Sequence, residues 1–429
     1  MRQKSILLLC VCLALFPLRG LADEEQLEAE DSIEEKIDRL QQELNQLKKE
    51  HEAEIKELNE KLAAQEKKSA REGAPHRAQP VGSWGIMNPS ISAIADIQAL
   101  FANNKGDPNR NKIRVKHVEF AFQGYLYPGI RADVIPALEM EYIQDEVNVE
   151  VDLEEAYLTA SPIPLVGEFV PLGLQVGRKF MNFGVLNPIH SHHWPFVDTP
   201  LVLENFFGPH NWYDDGLQGI LNIPNPWDLY VKTIFGYWNG KKLGHAHGDE
   251  GHEHEAEDHE HMLGEPIEWD GRIYLSRTVL GVPFGRTSDL RWGASVSWDE
   301  SGNTSLVGGD LTFTHRFPGT YHRLRWQNEF MMADVSREDY TRYGGYSLLV
   351  FSPGKHWETG YRYDLSQILD PLTNNDEWAS TGFITYFLTH SLYFRGQYRF
   401  RHTLHDEDEH NGYIQLVFGL GPHAHRLEN

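Results

Sequence analysis

From Trp84 onward, apolar and polar residues alternate with a period of 2 in segment after segment. In HVEFAFQGYLY, His117, Glu119, Ala121 and Gln123 fall on one side, and Val118, Phe120 and Phe122 on the other. RADVIPALEMEY separates Arg131, Asp133, Glu139 and Glu141 from Ala132, Val134, Leu138 and Met140. LYFRGQYRFR sets Arg395, Gln397, Arg399 and Arg401 against Leu392, Phe394, Tyr398 and Phe400. Successive side chains leave opposite faces of a pleat, so this period predicts strands with two unlike faces. One face is aromatic and aliphatic, and the other carries charge.

Turn chemistry decides what such strands build. Short Pro/Gly connections recur at YPGI (127), IPNPW (223), VPFG (282), FPGT (317) and SPGK (352). Between them lie longer polar connections: NNKGDPNRNK (103), the stretch 183–213, a His-rich stretch, DESGN (299), DPLTNND (370) and LHDEDEHN (404). Alternation of tight turns with long loops predicts an all-β transmembrane barrel of antiparallel strands. A soluble β-sandwich would bury its apolar faces and show no such asymmetry. We count 16 strands, beginning near 89, 113, 129, 148, 172, 214, 227, 268, 289, 303, 319, 338, 356, 375, 389 and 410. An even number returns both barrel ends to one side of the membrane.

The N-terminal part reads differently. Arg2 and Lys4 precede the apolar run Ile6–Phe16 and then GLA ending at Ala22, the pattern of a secretory signal peptide over 1–22. In 23–68, Ile33, Ile37, Leu40, Leu44 and Leu47 step by 4, 3, 4 and 3, a coiled-coil seam. His51 and Ile55 follow at two steps of 4, a stutter, before Leu58 and Leu62 resume the pattern. The alternative is a single solvated helix, but an exposed Ile/Leu seam favours oligomerisation, with an α-helical coiled coil in the periplasm. Residues 69–83, broken by two prolines, form a linker. The barrel is expected over 84–420, with 421–429 as a C-terminal tail.

Charge narrows the function. The chain carries −24, and losing Arg2, Lys4 and Arg19 with the signal takes it to −27, which argues against a nucleic-acid partner. Both cysteines, Cys10 and Cys12, lie in the signal, leaving no disulfide or thiolate site in the mature chain. No nucleophile, base and oxyanion group come together in the pattern, so no enzyme is expected.

LQVGRKFMNFGVLNP, running into PFVDTPLVLENFFG and WYDDGLQG, together with the coiled coil, resembles trimeric outer-membrane porins of the phosphate-selective porin superfamily. The nearest likeness is to the branch labelled zinc-regulated outer-membrane receptors. The resemblance implies a 16-stranded homotrimer in outer-membrane lipid of a Gram-negative bacterium, passing small ions and solutes. It also implies an inward loop after the fifth strand, here 183–213. A receptor of the energy-coupled kind would need a globular plug where this chain has its coiled coil.

The inward-facing charges sort by sign. Glu119, Asp133, Glu139, Glu141, Glu150, Asp152 and Glu154 come early, and Arg323, Arg325, Arg362, Arg395, Arg399 and Arg401 late. In a closed barrel the two groups become opposed walls lining the pore, with Asp198, Glu204, Asp214 and Asp215 added by the loop and its exit. Two histidine groups remain. HSHHW sets His190, His192 and His193 in the inward loop. GHAHGDEGHEHEAEDHEH (244–261) carries His245, His247, His252, His254, His259 and His261 among seven carboxylates, between strands 7 and 8. Neutral imidazoles bind borderline cations, and carboxylates complete their coordination. The expectation is a passive channel whose external loop captures a labile Zn2+ or another divalent transition metal, with no cofactor required. A general or anion-selective porin without a metal role is the alternative reading.

Overall fold

The computed structural model describes residues 89–143, 146–163, 171–227, 229–240, 266–335, 340–367, 376–403 and 407–421. The signal peptide, coiled coil, linker, the stretch 244–261 and the tail beyond Gly421 lie outside the described residues.

The strands are β1 (Ser90–Ala102), β2 (Lys112–Tyr127), β3 (Ile130–Ile143), β4 (Glu146–Ala160), β5 (Leu172–Phe180), β6 (Tyr213–Asn222), β7 (Tyr230–Trp238) and β8 (Ile273–Phe284). They continue with β9 (Ser288–Asp299), β10 (Thr304–Arg316), β11 (His322–Val335), β12 (Tyr340–Pro353), β13 (Trp357–Gln367), β14 (Asp376–Thr389), β15 (Leu392–His402) and β16 (Glu409–Leu420). Each pairs antiparallel with its sequence neighbour, and β1 closes on β16 from Ala93↔Leu420 to Ala102↔Asn411. The expected closed barrel of 16 antiparallel strands is thus present. Among the described residues one short α-helix, α1 (Leu201–Phe207), lies in the β5–β6 connection.

Side-chain exposure inverts the pattern of a soluble protein. On β15, Phe394 and Tyr398 are 45% and 53% exposed, while Arg395 and Arg399 are 3% and 5%. The apolar face looks outward and the charged face inward, as a lipid-facing wall requires. The connection rule is not uniform. On the long-loop side β3 and β4 are separated only by 144–145, and on the short-turn side β4 and β5 by 161–171.

The interior is not a bare tube. The β5–β6 connection folds inward and carries Phe183, Leu186, Trp194, Phe196, Val202 and Phe206 into a core with Leu306, Met331, Leu348, Val350 and Phe383 of the wall. Inward positions of β10 to β12 are therefore apolar where this loop packs, although the barrel has a charged inner face elsewhere.

Candidate functional site: the inward loop between two charged walls

The loop is tied at its neck. Asn187 donates to the carbonyls of Met181 (2.8 Å) and Trp212 (3.0 Å) and accepts from the Trp212 amide (2.7 Å), so one side chain joins both strands of the neck. Gly184 has φ +63°, and a Cβ there would overlap the Glu329 carboxylate, which instead accepts from the Val185 amide at 3.1 Å. Glycine is required at that position both for its backbone angle and for its missing side chain. Beyond the neck, Phe207, Trp212 and Trp269 form a stack with centroid spacings of 4.9 Å.

One arm of the loop meets the basic wall. Asp198 pairs with Arg362 (2.6 Å) and Arg399 (3.3 Å), and it accepts a short hydrogen bond from Gln397. Glu204 of α1 reaches Arg399 (3.5 Å) and Arg401 (3.4 Å), and Arg401 also holds Glu377 at 2.7 Å. Arg395 donates to the Phe196 carbonyl (3.1 Å) and to Gln415 (2.7 Å). Burial alone would raise the Asp198 pKa, but Arg362 and Arg399 outweigh it and hold the carboxylate below its ordinary value. The arginines thus face loop carboxylates and carbonyls rather than open water.

The other arm meets the acidic wall. The 3-10 turn Ser191–His193 and the residue before it bring imidazoles against β2 and β4. His190 Nδ1 lies 3.0 Å from Glu119 Oε2 and 3.2 Å from Glu154 Oε2, and its Nε2 lies 3.2 Å from Glu155. His192 Nδ1 lies 3.4 Å from the same Glu119 oxygen. Burial alone would lower the basicity of His190, but Glu119, Glu154 and Glu155 outweigh it and raise its pKa well above the ordinary imidazole value.

A β-bulge makes this grip possible. The β3–β4 register passes from Ile135↔Glu155 to Pro136↔Leu153, so Glu154 has no partner in the ladder. Pro136 has no N–H to donate, and a bulge is where an interior strand accommodates proline. The irregularity turns two successive glutamates, Glu154 and Glu155, toward His190, where strict alternation would send one of them to lipid. Alternation therefore missed Glu155, and the signal for it was Pro136 on the facing strand. His117, on the lumen face but not singled out, joins the group with Nε2 3.3 Å from Glu154.

The remaining candidates are dispersed, except Glu139, which also comes within ligand distance of His117 and Glu154. Asp133 accepts from Arg131 (2.7 Å) and Gln123 (2.9 Å), Asp152 accepts from the Tyr213 hydroxyl (3.2 Å), and Glu139 lies 3.6 Å from His210. Glu141 lies on β3 opposite Asn148, with its side chain outside the described set. Glu150 is exposed, and Asp214 accepts from the Gly240 amide at 2.6 Å. Asp215 pairs with Arg178 at 2.7 Å. His193 is exposed, with Nε2 3.0 Å from that of His192. It borders a cavity of about 770 Å³ near the short-turn rim, also lined by Arg316, Arg323, Arg325, Lys355 and Arg395, with Glu358 the one carboxylate among the described lining residues. The six histidines His245, His247, His252, His254, His259 and His261 fall outside the described residues.

No family model matches the chain. An uncharacterized protein of Aquifex aeolicus (strain VF5) is 25% identical over 235 residues, 50% of this chain and 47% of its own, so the match spans about half of that relative. Among solved structures, Salmonella typhi OmpF in complex with daunomycin is similar with a TM-score of 0.50 and 8% identity, over 77% of this chain and 97% of its own. The anion-selective porin from Comamonas acidovorans gives 0.49 and 12%, over 77% and 99%. The outer-membrane-expressed OmpT of Vibrio cholerae gives 0.49 and 9%, over 77% and 97%. At such identities the likeness is one of fold: this chain has the closed barrel of outer-membrane porins.

Proposed function

We propose that the protein is a passive outer-membrane channel for small hydrophilic solutes, working as a homotrimer, with residues 244–261 capturing Zn2+ or another divalent transition metal at its outer mouth. The observation that carries the channel reading is the inward loop held between oppositely charged walls inside a porin-type barrel. Such a loop narrows a lumen, and the fixed charges around it select what passes. The capture reading is supported by the connection that holds 244–261. It joins β7 to β8 on the same rim as the other long connections, and six imidazoles with seven carboxylates suit labile transition-metal binding. The resemblance to the zinc-regulated branch of phosphate-selective porins points the same way.

A second reading is favoured by the basic lining of the cavity at the short-turn rim: a channel preferring anions, without a metal role. Planar-bilayer reversal potentials under a salt gradient, with and without zinc, separate the two. Zinc calorimetry on wild type and on a variant with the six histidines of 244–261 changed to Asn tests the capture directly. Equal binding by both would remove that part of the reading.

A further inference from the structure

We propose that Glu119, Glu154 and His190, joined by His117 and His192, form a second binding site for a divalent transition metal, which fastens the inward loop to β2 and β4. The proposal rests on the channel reading but not on metal capture by 244–261. Three overlapping sets bring ligand atoms within 4.8 Å of one another: His117, Glu119 and His192; His117, Glu139 and Glu154; and Glu119, Glu154 and His190.

The spacing is that of ligands around an ion. Donor atoms at about 2.0–2.2 Å from a tetrahedral metal stand roughly 3.3–3.6 Å apart. Here the N···O separations are 3.3 and 3.4 Å, within that range, and 3.0 and 3.2 Å, short of it by no more than 0.3 Å. Hydrogen bonding does not account for all of these approaches. Glu119 is 1% exposed, and its Oε2 meets His190 at 3.0 Å and His192 at 3.4 Å as ion pairs without hydrogen-bond alignment, as His117 meets Glu154 at 3.3 Å. Buried polar atoms are almost always hydrogen-bonded, and one ion shared by these misaligned groups would satisfy them together.

The donor set gives a second reason. Glu119 and Glu154 with the imidazoles of His117, His190 and His192 supply mixed N/O donors, which select zinc, cobalt or nickel over calcium or magnesium. The ligands come from β2, β4 and the loop, so an ion there binds the loop to the barrel. The bulge opposite Pro136 lets Glu155 face His190 beside Glu154.

The test uses full-length protein in detergent with the six histidines of 244–261 changed to Asn, so that the external stretch contributes nothing. Zinc calorimetry should give one Zn2+ per chain, and Co2+ should give visible ligand-field absorption from nitrogen and oxygen donors. Adding Glu119→Gln or His190→Asn should weaken zinc binding by more than about 100-fold. Adding His402→Asn, which removes an imidazole outside the three sets that pairs with Asp408 at 2.7 Å, should leave it unchanged. Protection of the loop from protease by Zn2+, lost in the Glu119→Gln variant, reads the fastening itself. Folding of every variant is checked by its heat-modifiable migration. If the six-Asn protein binds no zinc while wild type does, the lumen site falls and the capture reading stands. If the six-Asn protein binds as much zinc as wild type, capture falls and the lumen site stands. Zinc binding that survives both ligand substitutions in folded protein would also overturn the proposal.

Discussion

Replacing Asp198 with Ala tests how the loop is held against the basic wall. Asp198 lies 2.6 Å from Arg362 and 3.3 Å from Arg399, and both guanidinium groups are nearly inaccessible to water. Removing one member of a buried ion pair leaves a charge without its partner, which costs about 3–5 kcal/mol. Asp364 still holds Arg362 at 2.8 Å, so the lower end of that range applies. Loss of the hydrogen bond from Gln397 adds about 1 kcal/mol. The sum, about 4 kcal/mol, corresponds to roughly a thousandfold shift of the docked loop toward release. Planar-bilayer recording should therefore find a larger, noisier conductance, displaced toward anions by the uncovered arginines. Asp215→Ala is the comparison, because its pair with Arg178 is as short (2.7 Å) but 22% and 38% exposed. An exposed pair contributes at most about 1 kcal/mol, and this variant should conduct like wild type. A folded Asp198→Ala protein with unchanged conductance and selectivity would refute the reasoning.

Three further expectations follow from the same geometry. Gly184→Ala forces a Cβ onto the Glu329 carboxylate at φ +63°, and should lower the temperature of heat modification through strain of about 1–3 kcal/mol. The Asp198 pKa is held below its unfolded value, so its contribution is fully present above about pH 4 and is lost as pH falls through the lower folded value. Conductance measured against pH should show this anchor intact at mild acidity and released only below that; release already near neutrality contradicts it. Changing Arg323 and Arg325 together to Glu reverses charge in the cavity at the short-turn rim without touching the loop anchors, and should move the reversal potential toward cations.

The strands were legible because lipid forces one face to be apolar, and that demand is written at every second residue. The largest offset was at β8, expected near 268 and beginning at Ile273. There the preceding segment leaves the sheet to bond the loop, the Ile267 amide reaching the Phe206 carbonyl at 3.0 Å and Trp269 stacking on Trp212. The sign of each wall was legible for the same reason as the strands. What faced each wall was not, because the partners of Arg362 and Arg399 lie more than 160 positions earlier, in a loop with no periodicity of its own. The apolar interior was hidden in the same way: Met331, Ala333, Leu348 and Val350 look inward, against the expectation of a polar lumen, because the loop brings its own aromatic residues to cover them. Glu155 was missed because a period of 2 fails at a bulge.

The central claim is that a water-filled path remains beside the docked loop and that the loop sets its width. Single-channel recording of wild type beside a variant in which 189–209 are replaced by a short Gly/Ser linker tests it most directly, since Asn187 and Asn211 stay to close the neck. Discrete steps in wild type, and steps several-fold larger in the variant, are the predicted result. A folded wild-type protein that is silent, or identical steps from both proteins, would contradict it.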